Sequence, residues 1–129
     1  MSTAILCTAL LGLLVFGLGF AVSMTRGNTN TISGYNPDPA DRLYKMVRAH
    51  GNTTEYAPML AILMLLIGAR EHSSWMLWVM WIVTASRYLI AIGILVSPTL
   101  DKPQPLRFAG ALGTYVGGIA LCVAAFLVM

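Results

Sequence analysis

Residues Asp41–Pro58 read DRLYKMVRAHGNTTEYAP and run directly into the apolar stretch Ala57–Ala69. That stretch has only 13 residues, whereas a helix needs about 20 to cross a bilayer core. Alone it fits a buried helix of a soluble domain. If the helix instead begins near Asp41, it is long enough to span, and it carries Arg48, Asn52 and Glu55 into the membrane. The reading of this segment therefore decides between three spans and four. We read four, with a polar start to the second.

The rest of the chain needs less argument. Ala4–Met24 and Phe108–Met129 hold no charge, and Ser74–Val96 holds one, Arg87. The spans fall at approximately 4–24, 42–70, 74–96 and 107–129, a single all-α, four-transmembrane-helix domain. The 129 residues are 57% hydrophobic and 10% charged, with mean hydropathy +0.75. Soluble domains carry about 25% charged residues, so water is not the main solvent here. Disorder requires low hydrophobicity and high net charge and is excluded. The eight Lys and Arg form no run or stripe, which argues against a nucleic-acid partner. A signal peptide has a basic leading segment. Nothing basic precedes Ala4 except the chain amine, so the first segment reads as a span.

Lys and Arg counts orient the chain. Arg26 and Arg42 lie in the first connection, with Lys45 and Arg48 just beyond, and Lys102 and Arg107 accompany the third. The turn between helices two and three has only Arg70. Both loops, 25–41 and 97–106, are thus expected on the cytoplasmic side. Their small size points to a bacterial inner membrane. Trp75, Trp78 and Trp81 open the third helix as interfacial anchors. Gly110, Gly113, Gly117 and Gly118 suit close helix packing. Cys7 and Cys122 form no C-x-x-C pair, which disfavours a thiol–disulfide oxidoreductase. They fit free thiols, and their shared side also permits a disulfide.

At about 100° per residue, Arg48, Asn52 and Glu55 fall within roughly 60° of one another. Asp41 lies on the same stripe and His50 nearly opposite. Charges placed this deep face a bundle interior or a wet cavity. Pro58 leaves the Thr54 carbonyl without its usual helical partner. Arg87 comes to a similar depth from the third helix, so a Glu55–Arg87 pair is expected, and such a pair serves structure or function equally well. Arg107 opens the fourth helix as a boundary anchor or, with Arg26, Lys45 and Arg48, as part of an anion pocket. A ligand with carboxylates at one end and an amine for Glu55 fits that chemistry.

The octet Arg48-Ala49-His50-Gly51-Asn52-Thr53-Thr54-Glu55 resembles the R-A-x-x-N-x-x-E signature of the MAPEG family, membrane proteins of eicosanoid and glutathione metabolism that include microsomal glutathione transferases. The likeness extends to Tyr56 and Pro58, to chain length and span number, and to Pro103-Gln104-Pro105-Leu106-Arg107, which is similar to the turn opening the fourth helix of those transferases. It departs at Ile90 and Ile94, where some members place Tyr or His, leaving only Tyr88 close, and at Gly51, where one has a further Arg.

The resemblance implies a homotrimer with glutathione as co-substrate, bound between neighbouring subunits near the cytoplasmic side. Arg48, Asn52 and Glu55 would hold its backbone, with Tyr56, Arg87 and the adjacent subunit's equivalent of Arg26 contributing. Arg107 stands where members place the Arg near the thiol, as the catalytic residue. No metal is expected. The implied function is a membrane glutathione transferase in detoxification, with or without hydroperoxide reduction, acting on a lipophilic electrophile from the bilayer. Two alternatives stay open: a small four-helix transporter, and a non-catalytic bundle whose charges only lock helices together.

Overall fold

The computed structural model describes all 129 residues, in the order α1 (Ser2–Asn28), α2 (Arg42–Gly68), α3 (Ser74–Val96) and α4 (Pro105–Leu127). Local chemistry sets several of the ends. Asp41 is extended, and its Oδ1 accepts the Tyr44 amide at 2.8 Å, satisfying one of the donors a helix start leaves over. Gln104 does the same for α4, its Oε1 accepting the Arg107 amide at 2.8 Å. Pro105 occupies the first helical position, where its missing N–H costs nothing. Hence α4 starts two residues before Arg107. At the other end of the chain α1 outruns its apolar stretch and continues to Asn28, where the Thr29 amide closes the last turn on the Thr25 carbonyl at 3.1 Å.

Three helices, α1, α3 and α4, are long and apolar enough to cross a membrane. The 27 residues of α2 rise about 40 Å, and its charges concentrate in the first half. Pro58 is accommodated inside the continuous helix. Reading α2 from Asp41 as one element therefore supplies the fourth helix of the bundle.

The most extensive interfaces join α1 to α2 and α3 to α4, with α2 on α3 next. Gly110, Gly113 and Gly117 of α4 stand against Ile90, Ser86 and Val83 of α3. Apolar burial divides into two clusters. The larger gathers Cys7, Leu11, Leu60, Met64, Met80, Val83 and Leu121 towards the termini. The smaller gathers Leu18, Ala49, Ile90, Ala91 and Ile94 towards the long loops. Buried polar side chains, Thr53, Thr84, Ser86, Arg87 and Thr114, come from the helix segments between them. The loops themselves are tied together: the Leu100 amide donates to the Pro39 carbonyl at 3.1 Å, and Lys45 Nζ donates to the Ser97 carbonyl at 3.1 Å. Cys7 is buried and Cys122 exposed, both as free thiols, so the disulfide alternative is not realised.

Candidate functional site

The polar layer is built around Arg87, which is 1% exposed. One nitrogen, Nη2, donates to the Asn52 backbone carbonyl at 2.8 Å and to Asn52 Oδ1 at 2.6 Å. Nη1 reaches Thr114 Oγ1 at 3.5 Å. The guanidinium carbon lies 4.9 Å from the centroid of the Tyr56 ring, within cation–π range. Three helices thereby converge on one cation. The Tyr56 hydroxyl in turn donates to the Tyr115 hydroxyl at 3.4 Å.

The expected Glu55–Arg87 pair does not form. Arg87 turns Nη2 to Asn52 and Nη1 to Thr114, while its buried Nε has no partner, and Glu55 is exposed on the outside of the bundle. The reason is angular: Glu55 sits three residues past Asn52, about 60° around the helix, which turns it off the α3 side. Arg48 is exposed as well, and Asn52 is half-buried between the two. The α2 stripe is thus an outward face with an anchored amide in its middle. Arg48 lies about 10 Å from Glu55 along the axis.

Arg107 is half-buried, and Nη1 donates to the carbonyls of Leu100 at 3.1 Å and Lys102 at 3.2 Å. Its backbone packs on Gly93 of α3. With Arg87 beside Thr114 and Asn52, and Lys45 beside Ser97, the antiparallel registers place Arg107 at about the depth of Arg48. Nε and Nη2 have no partner among these bonds. Arg26 lies elsewhere in the protomer. It is half-buried at the end of α1, lines a cavity of about 600 Å³ with Ser23, Asn30 and Thr31, and donates to the Gly34 carbonyl at 3.5 Å. One protomer therefore brings together Asn52, Tyr56 and Arg87, exposes Arg48 and Glu55 beside them, and keeps Arg26 and Arg107 nearer the loops.

Tyr115 and Thr114 are the residues that the helical stripe did not single out as site members. The signal was present in their order, since adjacent residues point about 100° apart, one inward to Arg87 and one outward to Tyr56. Next to them a groove of about 350 Å³ runs between α2 and α4, lined by Glu55, Tyr56, Met59, Leu63, Tyr115 and Cys122 among others. Leu63 and Cys122 also line a second cavity of about 390 Å³, which continues to Arg70 and Phe126. The only Tyr near the departing α3 positions, Tyr88, turns away: its hydroxyl donates to the Leu10 carbonyl at 2.8 Å, latching α3 to α1.

An all-helical bundle with three apolar helices long enough to span, a buried cation and a polar α2 face defines an integral membrane protein. The chain belongs to the MAPEG family, whose model matches residues 4–127. It is thus a membrane protein of the glutathione transferase and eicosanoid-metabolism family. No individually curated protein matches it.

Proposed function

We propose that the protein is a membrane glutathione transferase that ionises the glutathione thiol for attack on lipophilic electrophiles. The observation that carries this reading is the α2 face itself. Arg48 and Glu55 are exposed with the half-buried Asn52 between them, in a family that includes such enzymes. The donor set suits the ligand: a cation for a carboxylate, a carboxylate for the glutamyl ammonium, and an amide for the peptide. The family also has members that are not transferases, so the reading rests on this chemistry beside the membership.

A free thiol of pKa about 8.5 is only a few per cent ionised at neutral pH. Each unit of lowering corresponds to about 1.36 kcal/mol. Arg107, at the depth of Arg48 and with donors to spare, is the proposed source of that stabilisation. The thiolate attacks the electrophilic carbon, its sulfur forming the new bond as the leaving group or ring oxygen departs. The apolar α2–α4 groove is the proposed entry for the electrophile, and hydroperoxide reduction is a second reaction open to the same thiolate.

Assembly supports the same reading. An exposed carboxylate at the depth of Glu55 is costly against lipid, so we assign the α2 face to contact with a second copy, in a homotrimer. Arg26 of a neighbouring subunit would then reach the ligand. We assign the long loops, and the mouth of the site, to the cytoplasmic side from the Lys and Arg balance, and the membrane to a bacterial inner membrane from the small size of the loops.

Isothermal titration of glutathione into the detergent-purified protein tests the proposal. Binding that is lost in Arg48→Ala and in Glu55→Ala is expected. Unchanged binding in both variants refutes the assignment.

A further inference from the structure

We infer that Arg87 is a positioning residue that acts through Asn52. It turns the carboxamide oxygen inward and leaves the amide N–H₂ facing outward between Arg48 and Glu55. The site then takes a hydrogen-bond acceptor, a carboxylate or carbonyl oxygen of the ligand, at Asn52. The inference rests on the reading of the α2 face as the glutathione site and adds which atom of Asn52 meets the ligand and what holds it there.

The chemistry of the contact decides the orientation. A guanidinium carries only donors, so the Asn52 side-chain atom 2.6 Å from Nη2 is the oxygen. The same nitrogen holds the Asn52 backbone carbonyl at 2.8 Å. Side chain and main chain are thus referenced to one charge, and the carboxamide is left little freedom to flip. Trigonal geometry at Cγ sends Nδ2 away from the oxygen, and Nδ2 has no partner within the chain. Both Nδ2 donors are therefore free for whatever occupies the outer face, and an acceptor on the ligand takes them.

Arg87 is itself fixed. Thr114 Oγ1 lies on one side at 3.5 Å and the Tyr56 ring at 4.9 Å. At 1% exposure it offers no surface to a ligand on the outer face of α2. Its influence on binding therefore passes through the residues it holds, and Asn52 is the only one of these on the stripe.

A double-mutant cycle read by glutathione titration tests the inference, with thermal unfolding of each variant alongside. Arg87→Met and Asn52→Ala are each expected to weaken glutathione binding about tenfold or more, the range of one hydrogen bond to a charged group. In the Asn52→Ala background, Arg87→Met is expected to add less than about twofold, because the residue it acts through is gone. Arg87→Lys keeps one cationic donor and recovers part of the affinity. Asn52→Asp keeps both acceptors for Arg87, and so the fold, but has no donor. It is expected to bind at least as poorly as Asn52→Ala, and it decides the matter if Arg87→Met does not fold. Additive losses in the cycle, or wild-type affinity in Asn52→Asp, overturn the inference while leaving the site reading intact. A wild-type chain that takes up no glutathione overturns both.

Discussion

Gly110 of α4 lies directly against the backbone of Ile90 on α3: a Cβ at 110 would sit 2.6 Å from the Ile90 nitrogen and 2.7 Å from the Ser86 carbonyl oxygen. These are main-chain atoms in the middle of a helix and have no rotamer to change. The approach of α3 to α4, and with it the reach of Arg87 to Thr114, depends on the missing side chain. Gly110→Ala is expected to cost about 1–3 kcal/mol through overpacking and to lower the unfolding temperature in detergent by several degrees. Gly118→Ala is the control, since its Cβ would meet nothing closer than Leu60 Cδ2 at 3.7 Å. Equal unfolding temperatures for the two variants would remove the argument for this seam.

Tyr88 gives a prediction of the opposite kind. Its hydroxyl bonds the Leu10 carbonyl across the α1–α3 contact, so it stabilises the fold without facing the site. Tyr88→Phe is expected to lose about 1 kcal/mol of stability, with glutathione affinity unchanged. A fall in affinity beyond the loss of stability would put Tyr88 in the site instead.

The contrast between these residues explains what was legible in the sequence. Hydropathy and length locate helices one, three and four, because lipid imposes a composition on whatever it touches. Helix two is legible only through Asp41 and the polar stripe, since its apolar run is short. Arg48, Asn52 and Glu55 share a face by periodicity alone. What periodicity does not contain is the partner of a buried group. Depth placed Glu55 and Arg87 at the same level, but azimuth decides which residue meets the cation, and the rotation of α2 against α3 is set by packing between helices rather than by the period within one. The inward Asn52 took the place assigned to Glu55 for that reason. The Tyr56–Tyr115 contact likewise joins residues 59 positions apart, and no local pattern encodes it.

Arg107 is predicted to divide its two roles between variants. Its Nη1 bonds hold the carbonyls of Leu100 and Lys102, and its remaining donors are assigned to the thiolate. Arg107→Ala is expected to leave glutathione affinity within about threefold of wild type. It should abolish the ultraviolet thiolate absorbance of the complex and reduce turnover about ten- to a hundredfold, the equivalent of one to two units of thiol pKa. Arg107→Lys keeps a cation but not the forked geometry, and should retain an intermediate thiolate fraction. Thiolate absorbance persisting in Arg107→Ala would confine Arg107 to holding the loop.

The groove between α2 and α4 predicts a separation of the two substrates. Leu63 is common to both cavities along it and lies well below Tyr56, away from the Arg48 end of the α2 face. Leu63→Trp adds bulk where the cavities meet, and because Leu63 also packs on the larger apolar cluster, the variant's unfolding temperature is measured alongside. The electrophile and glutathione approach from different directions in the proposed reaction. The variant is therefore expected to raise KM for a long-chain electrophile several-fold while glutathione affinity and the thiolate fraction stay at wild-type values. A short, water-soluble electrophile should be processed as before, because it does not need the lower groove. If long and short electrophiles respond alike, the groove is not the route of entry, and the electrophile must reach the thiolate by the loop end, past Arg107.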